Sequence, residues 1–414
     1  MNIIFWGIGR DFQEAVHKYP YLLECAIAFA DNGTEIESIK GKPVIRPGNI
    51  PDYKPDKVII STSRYFKEIY RQCHEEIDIN EEKILSLQEF INEEIISGGL
   101  VPSYIKIDAC SLCQLNCKSC YMRLNKNHTV GNGYLLFDNF KKLVDDNPEI
   151  KGIELSNWGE VFLNPELKKI LEYAHSRDVD ITLGGGVNFN TVDSDMLETL
   201  VKTQVKFINV SIDGTSQEVY SQYRIGGDYA NIIKNIRRLN YYKALYGSEF
   251  PILQWQFIIM EQNEHQVLEA KKLSESLGMK IFFKLQHDEG YVPKDPEFLH
   301  EVTGLDCFSI EDYLKKTGEA YISSCRELFE SPQINWDGRL LGCCRVIEHD
   351  FGVNVFEVGL RKALSSKEFV NTKKMLLGDN SAEVNCYTNP CVGCYIYKIM
   401  KERDNWYIKQ NLNL

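Results

Sequence analysis

Tyr104-Ile105-Lys106-Ile107-Asp108-Ala109-Cys110-Ser111-Leu112-Cys113-Gln114-Leu115-Asn116-Cys117-Lys118-Ser119-Cys120 runs from a strand-like segment into a loop crowded with thiols. Cys113, Cys117 and Cys120 stand in the pattern C-x3-C-x2-C. A short loop with this spacing can aim three thiolates at one face of an iron–sulfur cluster. An ordinary [4Fe–4S] cluster takes four cysteines. Three leave one iron without a protein ligand, open to a substrate or cofactor. The competing reading is a zinc knuckle, which wants four ligands, commonly in C-x2-C pairs. Cys110 or His128 would then be the fourth.

Outward from this loop, apolar runs alternate with helical stretches. Gly152–Leu155, Val179–Leu183, Phe207–Ser211, Leu253–Ile259 and Lys280–Phe283 read as strands after Tyr104–Ile107. Helical stretches such as Pro165–His175 and Glu264–Leu277 separate them. Six strands with crossovers predict an open, partial (β/α)6 barrel of TIM-like type. The loops at the C-terminal ends of such strands carry the chemistry. Ser156-Asn157-Trp158-Gly159-Glu160 follows the second strand, with Asn164 and Pro165 suited to a helix entry. Ser211-Ile212-Asp213-Gly214 ends the fourth, and Tyr223-Arg224 follows at a loop.

Taken in order at strand ends, these segments resemble the radical S-adenosylmethionine (SAM) superfamily from about Ser103 to Cys394. The resemblance implies a SAM-binding [4Fe–4S] cluster on Cys113, Cys117 and Cys120, whose open iron chelates the amino and carboxylate groups of SAM. Reductive cleavage then yields a 5'-deoxyadenosyl radical that abstracts a substrate hydrogen. It further implies that Gly159-Glu160 hold the SAM amino group and that Ser211, Asp213 and Arg224 approach its ribose and carboxylate. Arg suits a carboxylate because it offers a forked donor; the bland reading of Arg224 is a surface ion pair. The chain departs from the family pattern in three places. Ser119 precedes the third cysteine where an aromatic residue is usual, with Tyr121 just after it as the candidate adenine neighbour. Trp158 replaces the first glycine of the family's Gly-Gly-Glu motif, and Val161 a proline.

The segment before the loop reads as a small Rossmann-like α/β domain, residues 1–97. Ile3–Phe5, Ala26–Ala30 and Lys57–Ser61 are its strands, with helix-like stretches after the first and third. Gly7-Ile8-Gly9 matches only part of a dinucleotide fingerprint, because Phe12 takes the place of the third glycine. A tight turn is the favoured reading there, and Asp31 either reaches a ribose or caps a turn. A link near Glu93–Pro102 opens the barrel domain, residues 98–305.

The third domain, residues 306–414, is short of helix periodicity and rich in cysteine. Asn335-Trp336-Asp337-Gly338-Arg339 marks a hairpin, and Cys391-Val392-Gly393-Cys394 follows. This part resembles the Twitch domain, a shortened SPASM domain. The resemblance implies one auxiliary [4Fe–4S] cluster, assigned to Cys325, Cys343, Cys391 and Cys394. Cys344 and Cys386 are left over, Cys386 being a substitute for one of the four, and a structural zinc site is the alternative.

The chain has 414 residues, 13 of them cysteine, and a formal net charge of -12. An odd cysteine number without a signal-type N-terminus argues against a disulfide framework. The acidic balance argues against nucleic-acid binding, and no apolar run approaches the ~20 residues a bilayer span needs. A cytoplasmic protein with no membrane partner is expected. The sequence predicts a small-molecule substrate and, from the family, an electron donor such as flavodoxin or ferredoxin.

Three functions compete. The first is oxidation or epimerisation of a small polar substrate such as a sugar, nucleotide-sugar or aminocyclitol. The second is maturation of a peptide; the strand–glycine–helix start does not look like the winged helix that often accompanies it. The third is a non-catalytic iron–sulfur protein. No residue for substrate proton transfer is readable: His287, Asp288, Glu289 and Tyr291 follow the last strand, where a polar loop is the favoured reading.

Overall fold

The computed structural model describes residues 1–125, 128–286 and 291–406. Two compact units make up the chain, Met1–Ser103 and a second beginning at Tyr104.

In the first unit, Ile3–Trp6 (β1) is buried along its length. That is what a parallel strand covered on both faces requires. Ala26–Ala30 (β2), Ser38–Ile39 (β3), Lys42–Ile45 (β4), Lys57–Ile60 (β5) and Ile84–Ser86 (β6) complete a sheet of order β3-β4-β2-β1-β5-β6. All its pairings are parallel except β3 with β4. Phe5 packs with Phe12, Phe29 and Phe90 in one core cluster, and Ile4 and Trp6 with Val58 and Ile60 in another. Phe12, which breaks the glycine fingerprint, is thus a core residue. Asp31 caps its turn: Oδ1 accepts from the Gly33 and Thr34 amides and Oδ2 from that of Ile8. The expected link at Glu93–Pro102 begins too early. Leu87–Ser97 is a helix with a Ser86–Glu89 capping box, ended by Gly98 in the left-handed region, so the division falls after Ser103.

The second unit carries all six strands read from the sequence. Tyr104–Ile107 (β7), Gly152–Glu154 (β8), Asp180–Val187 (β9), Phe207–Ser211 (β10), Ile252–Ile258 (β11) and Lys280–Lys284 (β12) pair in sequence order, all parallel. Gln333–Ile334 (β13) and Leu340–Gly342 (β14) form the expected hairpin. β13 pairs in parallel with β7, closing off an edge that an open barrel leaves unpaired. The cysteine-rich stretch is therefore continuous with the barrel sheet and lies in the same compact unit.

Strand period decides the faces. Ile105, Ile107, Ile153, Ile181, Leu183, Ile208, Val210, Leu253, Trp255 and Phe257 are buried on the helix-covered face. The register aligns Lys106 with Glu154, Glu154 with Thr182, Ser211 with Gln256, and Ile258 with Lys284 on the other. That interior face is polar.

Candidate active site

The cysteine loop leaves the C-terminal end of β7, as expected, and is tied down along its length. The Asp108 amide donates to Ile334 O, that of Ala109 to Leu155 O, and that of Asn116 to Ile225 O. Arg123 reaches back to Leu115 O at 2.8 Å. Cys113 is exposed, and Cys117 and Cys120 are half-buried. Although part of Cys113 meets solvent, the protein packed around its thiol desolvates it and pushes it up to about 11, with Glu160, Cys117 and Cys120 adding to the rise. The three thiols therefore share one electrostatic neighbourhood, and cationic metal would reverse the sense of these shifts. Cys110 is buried beneath the loop, its Sγ turned to Leu112 O.

Glu160 is buried at the mouth of the barrel. Its Oε2 accepts from the Asn188 amide at 2.8 Å and its Oε1 from that of Phe162 at 3.4 Å. Burial raises its carboxyl to about 7, against the pull of those two amides. The Glu160 amide donates to Leu112 O at 2.7 Å, which fastens the second loop onto the first. Gly159 makes that approach possible. It has φ +79°, and a Cβ there would lie 2.4 Å from Cys110 O and 2.5 Å from the Ser111 carbonyl carbon. Gly159→Ala should destabilise the protein by about 2–4 kcal/mol, from overpacking plus a left-handed backbone. Chemical denaturation of the metal-free protein measures it, and a change within ~0.5 kcal/mol, ordinary for surface sites, would refute the close contact.

Asn164 does what its sequence reading expects at the helix entry, its Oδ1 accepting from the Glu166 amide at 2.8 Å, and more. The helix begins only at Leu167, and Glu166 occupies the N-cap position. Asn164 also donates from Nδ2 to Ala109 O and Leu135 O, both at 2.9 Å. A buried amide with two donors thus clamps two loops while its oxygen serves the helix entry. Trp158, in place of the family's glycine, packs with Val130, Leu341, Ile347 and Met122. Its ring lies 6.4 Å from that of Tyr121. Tyr121 starts the short helix after Cys120, and its hydroxyl donates to Glu348.

Arg224 is no surface ion pair. Its Nε donates to Asp213 Oδ2 at 2.6 Å, and Asp213 is fully buried. Asp213 Oδ1 accepts from the Ile258 amide at 2.8 Å, so one carboxylate ties the fourth and fifth strand ends to this arginine. Arg224 Nη1 points at Cys117 Sγ, 3.7 Å away. Burial still leaves the Cys117 thiol raised, but Arg224 opposes that rise. Ser211 is buried on the interior face beside Gln256.

Sequence reasoning missed four residues here. Asn188 donates to Glu160 through its backbone and lies 3.9 Å from Cys113 Sγ through Nδ2. Asp108 accepts from the Trp158 amide, and burial raises its carboxyl to about 7. Glu154 accepts from Ser156, Thr182, Gly184 and Gly185. Lys106 pairs with Glu327 at 2.5 Å. The signal available was the period-2 placement of Lys106 and Glu154 on adjacent strands.

The C-terminal cysteines form a second locus. Cys325, Cys343, Cys391 and Cys394 line a single cavity of about 180 Å³. Cys344 and Cys386 are not among its lining residues. Burial raises Cys391, with Cys343, Cys325 and Cys394 adding to the rise. Among the described residues no three His, Cys, Asp or Glu side chains converge tightly enough for a single metal ion. The cavity has room for more than one water molecule. Cys344 lies elsewhere, 3.9 Å from both Lys106 Nζ and Glu327 Oε1. His287, Asp288 and Glu289 lie outside the described residues, while the Tyr291 hydroxyl donates to Glu264 at 2.8 Å.

A family model described as "C2185-like, N-terminal" matches residues 1–85. No curated protein matches the chain. Among solved structures, Streptococcus suis SuiB bound to S-adenosylmethionine is similar over 82% of this chain and 83% of its own, with 15% identity and TM-score 0.52. The same protein bound to the precursor peptide SuiA is similar over the same shares, with 14% identity and TM-score 0.52. The likeness is one of fold: the chain has a radical SAM fold. Among the described residues no helix is long and apolar enough to cross a membrane.

Proposed function

We propose that this chain is a radical SAM enzyme acting on a small polar substrate, a sugar, nucleotide-sugar or aminocyclitol, by oxidation or epimerisation. One observation carries the reading. Cys113, Cys117 and Cys120 share the barrel mouth with Glu160 and with the buried Arg224–Asp213 pair, above a polar interior face. Cys113, Cys117 and Cys120 hold a [4Fe–4S] cluster in this reading. With SAM bound, the chemistry it supplies is reductive cleavage to a 5'-deoxyadenosyl radical able to take hydrogen from carbon. Gly159 and Glu160 present an acceptor to the SAM amino group; a carboxylate keeps lone pairs beyond the two that accept backbone amides. Arg224, held by Asp213, turns a cation towards the thiolates and the SAM carboxylate. Ser211 and Asp213 lie towards the ribose and Tyr121 towards the adenine. The apolar face behind the strands keeps water away from one side of the chamber.

Cys325, Cys343, Cys391 and Cys394 hold an auxiliary [4Fe–4S] cluster, whose chemistry is to accept or relay an electron. The cavity they share supports this reading. A cytoplasmic location and a flavodoxin- or ferredoxin-type donor belong to the same reading. Peptide maturation is the second reading, favoured by the likeness to SuiB in complex with a precursor peptide. The parallel α/β sheet of the first unit, which is not a winged helix, favours the first.

The test is anaerobic reconstitution with iron and sulfide, addition of SAM and a strong reductant, and quantification of 5'-deoxyadenosine by mass spectrometry. SAM- and reductant-dependent product is expected. None from fully loaded, reduced protein would overturn the enzyme reading and favour a non-catalytic iron–sulfur protein.

A further inference from the structure

We propose that Lys284 anchors an oxyanion of the substrate, a phosphate or a carboxylate, at the mouth of the barrel. The inference rests on the radical SAM reading above and narrows its substrate class.

Lys284 is the last residue of β12, paired in register with Ile258. Asp213 accepts from the amide of that same Ile258 and from Arg224. Lys284 therefore stands on the interior face, at the C-terminal end, beside the groups assigned to SAM. Among the described residues, the other charged groups of the strands and of Arg224 are paired, hydrogen-bonded or exposed. Lys106 pairs with Glu327, Arg224 with Asp213, and Glu154 accepts from four residues. Lys280 lies on the same face at the far end of β12 and is exposed. Lys284 is half-buried and has neither a hydrogen bond nor an ion pair among the described residues.

Its surroundings are cationic. Burial and repulsion from Arg224 and Arg345 hold Lys284 below the usual lysine range, against the opposing pull of Asp213 and Cys344. Among the described residues, Arg224 and Arg345 are the cations that bear most on Lys284, and Asp213 is the carboxylate that does so. This happens in a chain whose net charge is -12. A half-buried ammonium among like charges is costly alone and stabilised by an incoming anion. Arg224 is already committed to Asp213, and Arg345 lines the auxiliary cavity. Lys284 is left to meet a third party. An ammonium binds phosphate or carboxylate as a point charge, tolerant of approach angle.

The test uses the full chain, reconstituted anaerobically and saturated with SAM, titrated calorimetrically with inorganic pyrophosphate and, separately, malonate. Saturable binding of one probe is expected, and which one binds separates a phosphorylated from a carboxylated substrate. Lys284→Gln should weaken it about tenfold or more, the worth of a charged hydrogen bond. Lys284→Arg should retain it, and SAM affinity and iron content should stay at wild-type values. The bound probe should also slow acetylation of Lys284 in the wild-type protein, read by peptide mass spectrometry. That measurement stands even where a variant fails to fold. Binding of neither probe by SAM-bound wild type would overturn the proposal while leaving the enzyme reading intact. Equal binding by Lys284→Gln, or loss of SAM affinity in its place, would also overturn it. Wild type that takes up no SAM would sink the enzyme reading itself, and this inference with it.

Discussion

Replacing Cys113, Cys117 and Cys120 together by alanine should reduce 5'-deoxyadenosine to the level of a protein-free reaction, while iron content falls to about half, one of two four-iron clusters. The size of the first effect follows from what is removed. Enzymatic rate enhancements are typically at least about a millionfold, and on the proposed reading the whole enhancement depends on ligands for one cluster. The second effect follows from the separation of the two thiol sets. Cys325, Cys343, Cys391 and Cys394 line their own cavity, and none of the three replaced cysteines contributes to it. Loss of fold is not the expected cause, because Cys113 is exposed and its two partners are only half-buried. Circular dichroism of the metal-free triple variant should match that of the wild type. Retained SAM cleavage would remove these residues from the site, and complete loss of iron would merge the two loci into one.

The six barrel strands were readable because each alternates or runs apolar over the right length, and because turn-rich loops punctuate them. The three-cysteine loop was readable because its ligands are near neighbours in sequence. The C-terminal hairpin was readable from Asp337-Gly338. What escaped depends on side chains meeting across long sequence separations. Asn164 has the local look of a helix cap and accepts from the Glu166 amide, but its Nδ2 also serves carbonyls at Ala109 and Leu135, which nothing local announces. Nothing local to Asn188 indicates that its amide holds Glu160. Trp158 looks like a flaw in a glycine motif until Val130, Leu341 and Ile347 are seen against it. Its bulk fills a space that this chain's own C-terminal stretch creates. The third domain read as separate because composition changes there. Hydrogen bonding of β13 to β7 is invisible to composition. Arg224 is the instructive case, since a lone arginine at a loop is usually solvated, and only the burial of Asp213 beside it changes its meaning.

Asp213→Ala should then be among the most damaging single substitutions outside the cysteines. It leaves the Arg224 guanidinium, itself only 14% exposed, without its counter-charge. Breaking one half of a buried pair costs about 3–5 kcal/mol, chiefly because the surviving charge stays desolvated. The Ile258 amide also loses its acceptor, and an unsatisfied buried donor adds about 1–3 kcal/mol. Urea denaturation of the metal-free protein should show the loss directly. Arg224→Met on its own should also cost stability, because it leaves the fully buried Asp213 carboxylate without its counter-charge, although the Ile258 amide still donates to it. On the proposed reading it also acts on SAM: the cation 3.7 Å from Cys117 Sγ is gone, and with it the forked partner proposed for the SAM carboxylate. Combining the two substitutions removes both charges, so the double variant should regain much of the stability that Asp213→Ala lost. Such non-additivity marks a directly coupled pair. SAM affinity should stay lost in that double variant, separating the structural part of the pair from its ligand-facing part. Simple additivity of the two stability losses would mean that the ion pair is not what holds these strand ends together.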